Sequence, residues 1–241
     1  MSNEILTNEK RVGGFTSSLI FKLCTSDRAG NDFGAPALTY IQEKKYEVKL
    51  GRSLDTGANS QAISWGTFME QRVFNLIGFE YLITSDETDE HPIIKGWSGS
   101  KDLIVPKVKV SDIKCYQLKN FCAYADALAT EDLEHIKKNF PKEYWQLVSN
   151  AIINEVPNAE AILYAPNVSE LEEIRQMAFD YEGEDQYKYR FIAELPWYEL
   201  PVIPDDSGYK NLNTFEFVVP ENDIEFLTDR VKMAIKLRDK C

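Results

Sequence analysis

From residue 103 the chain reads LIVPKVKVSDIKCY: three apolar residues, a Pro-Lys break, then alternation of apolar and polar positions. Alternation at a period of two is the pattern of a half-buried strand, so this stretch predicts two strands joined by a turn. AEAILYAP (159–166) predicts a short buried strand, and HPIIKGW (91–97) and QYKYRFIAELPW (186–197) are further strand candidates. Helical spacing dominates elsewhere. ALTYIQEKKYEVKL (37–50), SQAISWGTFMEQRVFNLIGF (60–79), EDLEHIKKNF (131–140) and PKEYWQLVSNAIINE (141–155) predict helices, the last with proline in its first turn, where its missing N–H costs nothing. SELEEIRQMAFDYE (169–182) predicts a helix capped by Ser169, with acidic residues early. ENDIEFLTDRVKMAIKLRDK (221–240) predicts an amphipathic helix whose last turns are basic, as the helix dipole prefers. The first forty residues are glycine-rich and predict loops around short helices, and 51–61 predicts a loop. Helices, then strands, then strands alternating with helices predict an α/β (α+β) fold with a central mixed β-sheet flanked by helices. With no internal repeat and no long linker, residues 1–241 are expected to form one domain.

Composition narrows the setting. No apolar run approaches the roughly 20 residues that span a bilayer, and the opening MSNEILTNEKRVGG lacks the pattern of a signal peptide. A protein of the cytoplasm with no membrane partner is expected. Cys24, Cys115, Cys122 and Cys241 form no CxxC pair, which suits reduced thiols. The net charge of −12 argues against a protein that coats nucleic acid with a general basic surface, and leaves open a local basic path on an acidic exterior. The acidic runs at 86–90 and 181–185 are expected to be solvated loops. His91 and His135 have no obvious partners and are expected at the surface, and Trp65 and Trp97 in the core.

The strand pair carries an anomaly. Asp102 opens the first strand, and Asp112 and Lys114, two apart on the second, share a face. Gathered carboxylates cost free energy unless something neutralises them. One reading is a hard divalent cation with oxygen ligands, Asp102, Asp112 and the Ile113 carbonyl, with Lys114 holding a water or offsetting developing negative charge. The other is a surface ion pair of little energetic worth. Glu70 is placed by helical spacing with Ile63, Phe74 and Ile77, so it needs a partner: a structural salt bridge, or the same acidic site. Gln146, beside Trp145, Val148 and Ile152 on its helix, is by spacing alone expected to be half-exposed.

These residues, taken in order, resemble the PD-(D/E)xK nuclease superfamily, and within it the phage lambda exonuclease (YqaJ-like viral recombinase) type. The resemblance covers about residues 11–166. RVGGFTSS (11–18) is similar to the family's early Arg-x-Gly-x-x-Thr-x-Ser segment, which implies that Arg11 and Ser18 hold DNA phosphates near the cleaved end. AISWGTFME (62–70) is similar to Ala-x-x-Trp-Gly-x-x-x-Glu and implies an active-site acid at Glu70. GSKDLI (99–104) stands in place of Ser-Pro-Asp-Gly, with a metal-binding aspartate at Asp102. DIKC (112–115) is similar to Glu-x-Lys-Cys, with a second metal ligand at Asp112 and the catalytic lysine at Lys114. YWQLVS followed by a strand ending YAP resembles the helix whose glutamine sits beside the active site, here Gln146. Three positions depart from the pattern: Lys101 replaces proline and is a further candidate phosphate contact, Leu103 replaces glycine, and Asp112 is one methylene shorter than glutamate.

The resemblance implies a Mg²⁺-dependent deoxyribonuclease, with Mn²⁺ as a substitute. It implies 5′-to-3′ exonuclease action on double-stranded DNA ends during phage-type homologous recombination, in a bacterial or phage-infected cell. It also implies a homotrimeric ring around the DNA and a single-strand annealing recombinase as partner. The rival readings are a non-catalytic DNA-binding or recombination accessory module, a restriction- or repair-type endonuclease of the same superfamily, and an unrelated acidic enzyme in which Asp102 and Asp112 do not face one another.

Overall fold

A computed structural model describes residues 11–30, 32–54, 60–84, 87–183 and 186–240. The strands are β1 (Phe15–Thr16), β2 (Leu82–Ile83), β3 (Asp89–Glu90), β4 (Trp97–Gly99), β5 (Leu103–Val105), β6 (Lys109–Lys114), β7 (Asn158–Tyr164) and β8 (Leu212–Val218). The helices are α1 (Ala35–Leu50), α2 (Gln61–Leu76), α3 (Leu118–Ala129), α4 (Leu133–Asn139), α5 (Pro141–Ile153), α6 (Leu171–Phe179), α7 (Arg190–Glu194) and α8 (Glu221–Asp239). A 3₁₀ segment, Ser17–Cys24, joins β1 to α1.

Five strands form the central sheet in the order β2-β5-β6-β7-β8. Only β6 and β7 are parallel, and the other neighbours run antiparallel, so the sheet is mixed, as the order of elements predicts. A smaller sheet, β1-β4-β3, lies beside it.

Alternation along β6 and β7 sorts the two cores. Val110, Ala159, Ala161 and Leu163 face the core built with α1, α3, α5, α8 and the 3₁₀ segment, around Phe15, Tyr40, Trp97, Phe121, Tyr144 and Leu227. Ile113, Ile162 and Tyr164 face the other, with Trp65, Met69 and Val73 of α2, Ile174 of α6 and Ile192 of α7. Helices therefore cover both faces, and the predicted fold class is the observed one. By the same alternation Asp112 and Lys114 sit on the α5 face of β6.

Several expectations need correction. Residues 91–97 do not form a strand up to Trp97. His91 Nδ1 accepts the amides of Ile93 and Ile94, and Gly96 takes φ +81°, which closes a turn instead. His91 is half-buried and stacks on Trp97 at 4.9 Å, rather than lying free on the surface; His135 is exposed. Residues 186–197 form 3₁₀ and α turns. Their aromatic-basic alternation imitates a strand, but the positions that bury are Tyr189 and Ile192, three apart. Ser169 is not the cap of α6. Asn167 and Glu170 form a capping box, and the Ser169 hydroxyl bonds Asp205. Helix α3 was not anticipated, although Phe121, Tyr124, Ala125 and Leu128 form a buried stripe at helical spacing. Of the acidic run 86–90, Asp89 and Glu90 form β3 rather than loop. Asp86, Glu184, Asp185, Cys241 and the 55–59 part of the expected loop lie outside the described residues. Trp65 and Trp97 are fully buried, as expected. Among the described residues no helix is long and apolar enough to cross a membrane.

Candidate active site

The β5–β6 hairpin builds the centre. Its turn holds Lys107 at φ +64°, and Leu103 pairs with Ser111, which sets Asp102 beside the end of β6. The Asp102 amide donates to the Ser111 carbonyl at 3.3 Å, and its Oδ2 accepts the Ile113 amide at 2.6 Å. Asp112, buried, accepts Gln146 Nε2 of α5 on Oδ1 at 2.7 Å and pairs through Oδ2 with Lys114 Nζ. Gln146 is thus turned inward, not half-exposed.

Glu70 arrives from α2, half-buried. The stripe expected beside it is partly wrong. Ile63 is 47% exposed, and the face that buries carries Ser64, Trp65, Phe68, Met69, Arg72 and Val73. Glu70 lies at the edge of that face, where the helix meets the cleft.

The cleft, about 240 Å³, is lined by Glu70, Asp102, Asp112, Ile113, Lys114 and Gln146 on one side. Arg11, Thr16, Ser17, Ser18, Ser98, Gly99 and Ser100 line the other. Arg11 donates from Nη2 to Ser100 Oγ at 2.8 Å and Thr88 Oγ1 at 3.0 Å. Ser18 is exposed at the rim. The hydroxyl wall is framed by α5 through residues spaced like Gln146. Ser149 Oγ meets Ser17 Oγ at 2.7 Å and accepts Trp97 Nε1 at 2.8 Å, while Asn150 Nδ2 donates to the Ser100 carbonyl at 2.9 Å. A side chain on Gly99 would collide with Ser17 and Asn150, each 2.2 Å from where its Cβ would stand.

Eight of the nine predicted site residues line this cleft. Lys101 does not. It is buried and paired with Asp89 of β3, so it is engaged by its own carboxylate rather than free for a phosphate. The structure adds Thr16, Ser17, Ser98 and Ser100 to the wall; the first two lie in the 11–18 segment and the last two just ahead of Asp102, but nothing local in either stretch shows that they meet.

Burial and the neighbouring Asp102 and Asp112 push the Glu70 carboxyl up to about 8 from 4.5, against the opposing pull of Lys114. Asp102 is raised as well, by burial and by Asp112, with Lys114 and the Ile113 amide opposing. Burial pulls the Lys114 ammonium down, but Asp112 and Asp102 outweigh it and hold the charge. Burial pushes the Cys115 thiol far up, so it is no nucleophile. Buried Glu160, outside the cleft, shows the contrast: it collects Tyr81, Lys109 and Ser111 as donors and is fully occupied structurally.

Among the described residues no three His, Cys, Asp or Glu side chains stand in a ready metal cage. The chemistry nevertheless fits a hard cation. The donors are oxygens, and burial together with the neighbouring Asp112 raises the proton affinity of Asp102, which a positive charge beside it relieves.

No family model and no curated protein matches this sequence. Solved structures do. An alkaline exonuclease (LHK-Exo) from Laribacter hongkongensis superposes with a TM-score of 0.61 at 15% identity, over 95% of this chain and 89% of that one. LHK-Exo in complex with dAMP gives 0.62 at 14%, over 96% and 90%. A phage-related exonuclease from Haemophilus somnus 129PT gives 0.59 at 14%, over 94% and 93%. The resemblance drawn from the motifs is borne out at the level of the fold: the chain shares the fold of these exonuclease structures.

Proposed function

We propose that this chain is a Mg²⁺-dependent deoxyribonuclease that degrades linear double-stranded DNA 5′ to 3′ from its ends, in phage-type homologous recombination. One observation carries the reading: two mutually repelling aspartates, a charged lysine and a glutamine converge on a cleft whose other wall is an arginine among hydroxyls. A divalent ion, Mg²⁺ or Mn²⁺, held by Asp102, Asp112 and the Ile113 carbonyl with Glu70 beside them, would lower the pKa of a bound water and offset charge on the phosphate. Lys114 orients the attacking water and stabilises the charge that develops on the phosphoryl oxygens. Gln146 fixes the rotamer of Asp112. Arg11 and Ser18 hold backbone phosphate, which positions DNA without reading its sequence.

A net charge of −12 disfavours blanket attraction to DNA. A homotrimeric ring with an acidic exterior replaces it by enclosing the duplex. The 3′ single-stranded tail so produced is the substrate of a single-strand annealing recombinase, the partner of this reading.

The test uses a 5′-phosphorylated linear duplex and a covalently closed circle, each with Mg²⁺ and with EDTA. Loss of the linear DNA in Mg²⁺ alone, with the circle spared, is expected. Cutting of the circle would favour an endonuclease, and no digestion under any condition would leave the accessory module.

The raised acids also predict a pH dependence. The folded Glu70 carboxyl, at about 8, holds its proton more tightly than the unfolded one at 4.5. Folding therefore takes up protons between those values, and the stability contributed below 4.5 is lost as pH rises through 8. In EDTA the melting temperature is expected to fall between pH 5 and 9, and Mg²⁺ should flatten the decline. A flat profile in EDTA would contradict the arrangement.

A further inference from the structure

We propose that Arg238, in the last turn of α8, is a positioning residue for Arg11, so that the C-terminal helix sets the phosphate grip of the cleft. This rests on the nuclease reading above.

Arg11 begins a tight turn, closed by the Gly14 amide donating to the Arg11 carbonyl at 3.0 Å. Gly13 sits inside that turn at φ +69°, and a Cβ there would stand 2.3 Å from Val48 Cγ2. Both polar groups of its backbone are gripped from outside the turn. The Gly13 amide donates to Glu47 Oε2 at 2.9 Å, and its carbonyl accepts Arg238 Nη1 at 2.6 Å.

Glu47 is a rigid anchor. It is buried, paired with Lys44, and also accepts the Leu54 amide at 3.1 Å. Arg238 is the long-range arm, spanning 225 positions in sequence. Its guanidinium is largely covered, held by Asp239 and set against the open face of Gly96, where a Cβ would meet Nη1 at 2.9 Å. The Gly96 carbonyl in turn accepts the Phe15 amide at 2.8 Å, beginning the β1–β4 pairing that continues into Ser98.

Arg238 therefore braces the two backbone segments that converge on the hydroxyl wall, yet it does not line the cleft. Arg11 is left aimed and underused. Its Nη2 bonds Ser100 and Thr88, while its buried Nε has no partner. A guanidinium that lines the cleft with so few of its donors engaged is prepared for an anion.

The test is a double-mutant cycle on the full chain: Arg238→Gln, Arg11→Ala and both together, assayed on a linear duplex in Mg²⁺, with melting temperatures alongside. Losing one charge-assisted hydrogen bond should raise KM about tenfold and leave kcat within about twofold. That effect should vanish in the Arg11→Ala background. Arg238→Lys, which keeps a cationic donor for the Gly13 carbonyl, should recover most of the loss. An equal loss in both backgrounds, or a wild-type KM for Arg238→Gln, overturns the proposal. A wild-type chain that neither binds nor digests DNA overturns the nuclease reading, and the positioning role with it.

Discussion

Lys114→Ala should fold normally and lose DNA hydrolysis by about 10²- to 10³-fold or more, the cost of removing one preorganised stabiliser of developing charge. The side chain belongs to the cleft, not to either apolar core: it ends against Asp112 on the acidic side of the cleft. Its backbone stays in the β6–β7 ladder opposite Leu163, so strand pairing survives the truncation. Electrostatics makes the variant informative. Lys114 lowers the proton affinity of both Glu70 and Asp102. Without it the carboxylates repel with less compensation, and the metal-free protein should melt somewhat lower while still gaining stability from Mg²⁺. Lys114→Arg should not restore full rate, since a planar fork cannot replace a compact ammonium in a confined site. Single-turnover digestion of an end-labelled duplex, with thermal melts beside it, reads both effects. Wild-type rates for Lys114→Ala would remove the lysine from the chemistry.

The strand pair and its acids were legible because the signals are local. A hairpin of adjacent strands fixes Asp102 against Asp112 through a register that two-residue alternation already implies. Glu70 and Gln146 were legible only as oddities, polar residues among apolar ones on helices, and the spacing argument for Glu70 used a face that turned out partly exposed. Lys101 was misread because its partner, Asp89, lies in an acidic run that looked like solvent-facing loop. An isolated lysine beside an acidic aspartate suggests a phosphate; a lysine paired with a carboxylate of the neighbouring β3 is structure. The hydroxyl wall and its α5 frame were beyond local reading. Ser17, Ser98 and Ser149 meet through contacts more than fifty positions apart, and no periodicity encodes that meeting. Residues 186–197 failed for a different reason: two periodicities overlap there, and tertiary burial of Tyr189 and Ile192 chose the helical one.

Asp112→Asn should abolish hydrolysis by at least about 10³-fold, the scale of losing a metal-held nucleophile, and should do so without destabilising the metal-free protein. The side chain is isosteric and its Oδ1 keeps the Gln146 hydrogen bond, so α5 stays docked. Two electrostatic effects oppose each other. Lys114 loses a charged partner and meets the Asn Nδ2, a second donor, in its place, which costs stability for a buried ammonium. Against that, Asp102 and Glu70 lose a like-charged neighbour that raised both. Lys114 retains Asp102, and three acids around one lysine become two, so relief of repulsion should win or balance. The separating measurement is the response to metal. For the wild type, Mg²⁺ at a hundredfold excess over its Kd adds about 2.7 kcal/mol by mass action. For Asp112→Asn the melting temperature should not respond to the same Mg²⁺, and at pH 8 in EDTA it should equal or exceed that of the wild type, because the site has given up stability for the charge arrangement its chemistry needs. A variant that still gains stability from Mg²⁺ as the wild type does would place the ion elsewhere. A variant that collapses in EDTA would make Asp112 a structural counter-ion for Lys114, and the carboxylate cluster would then be a buried salt bridge rather than a metal site.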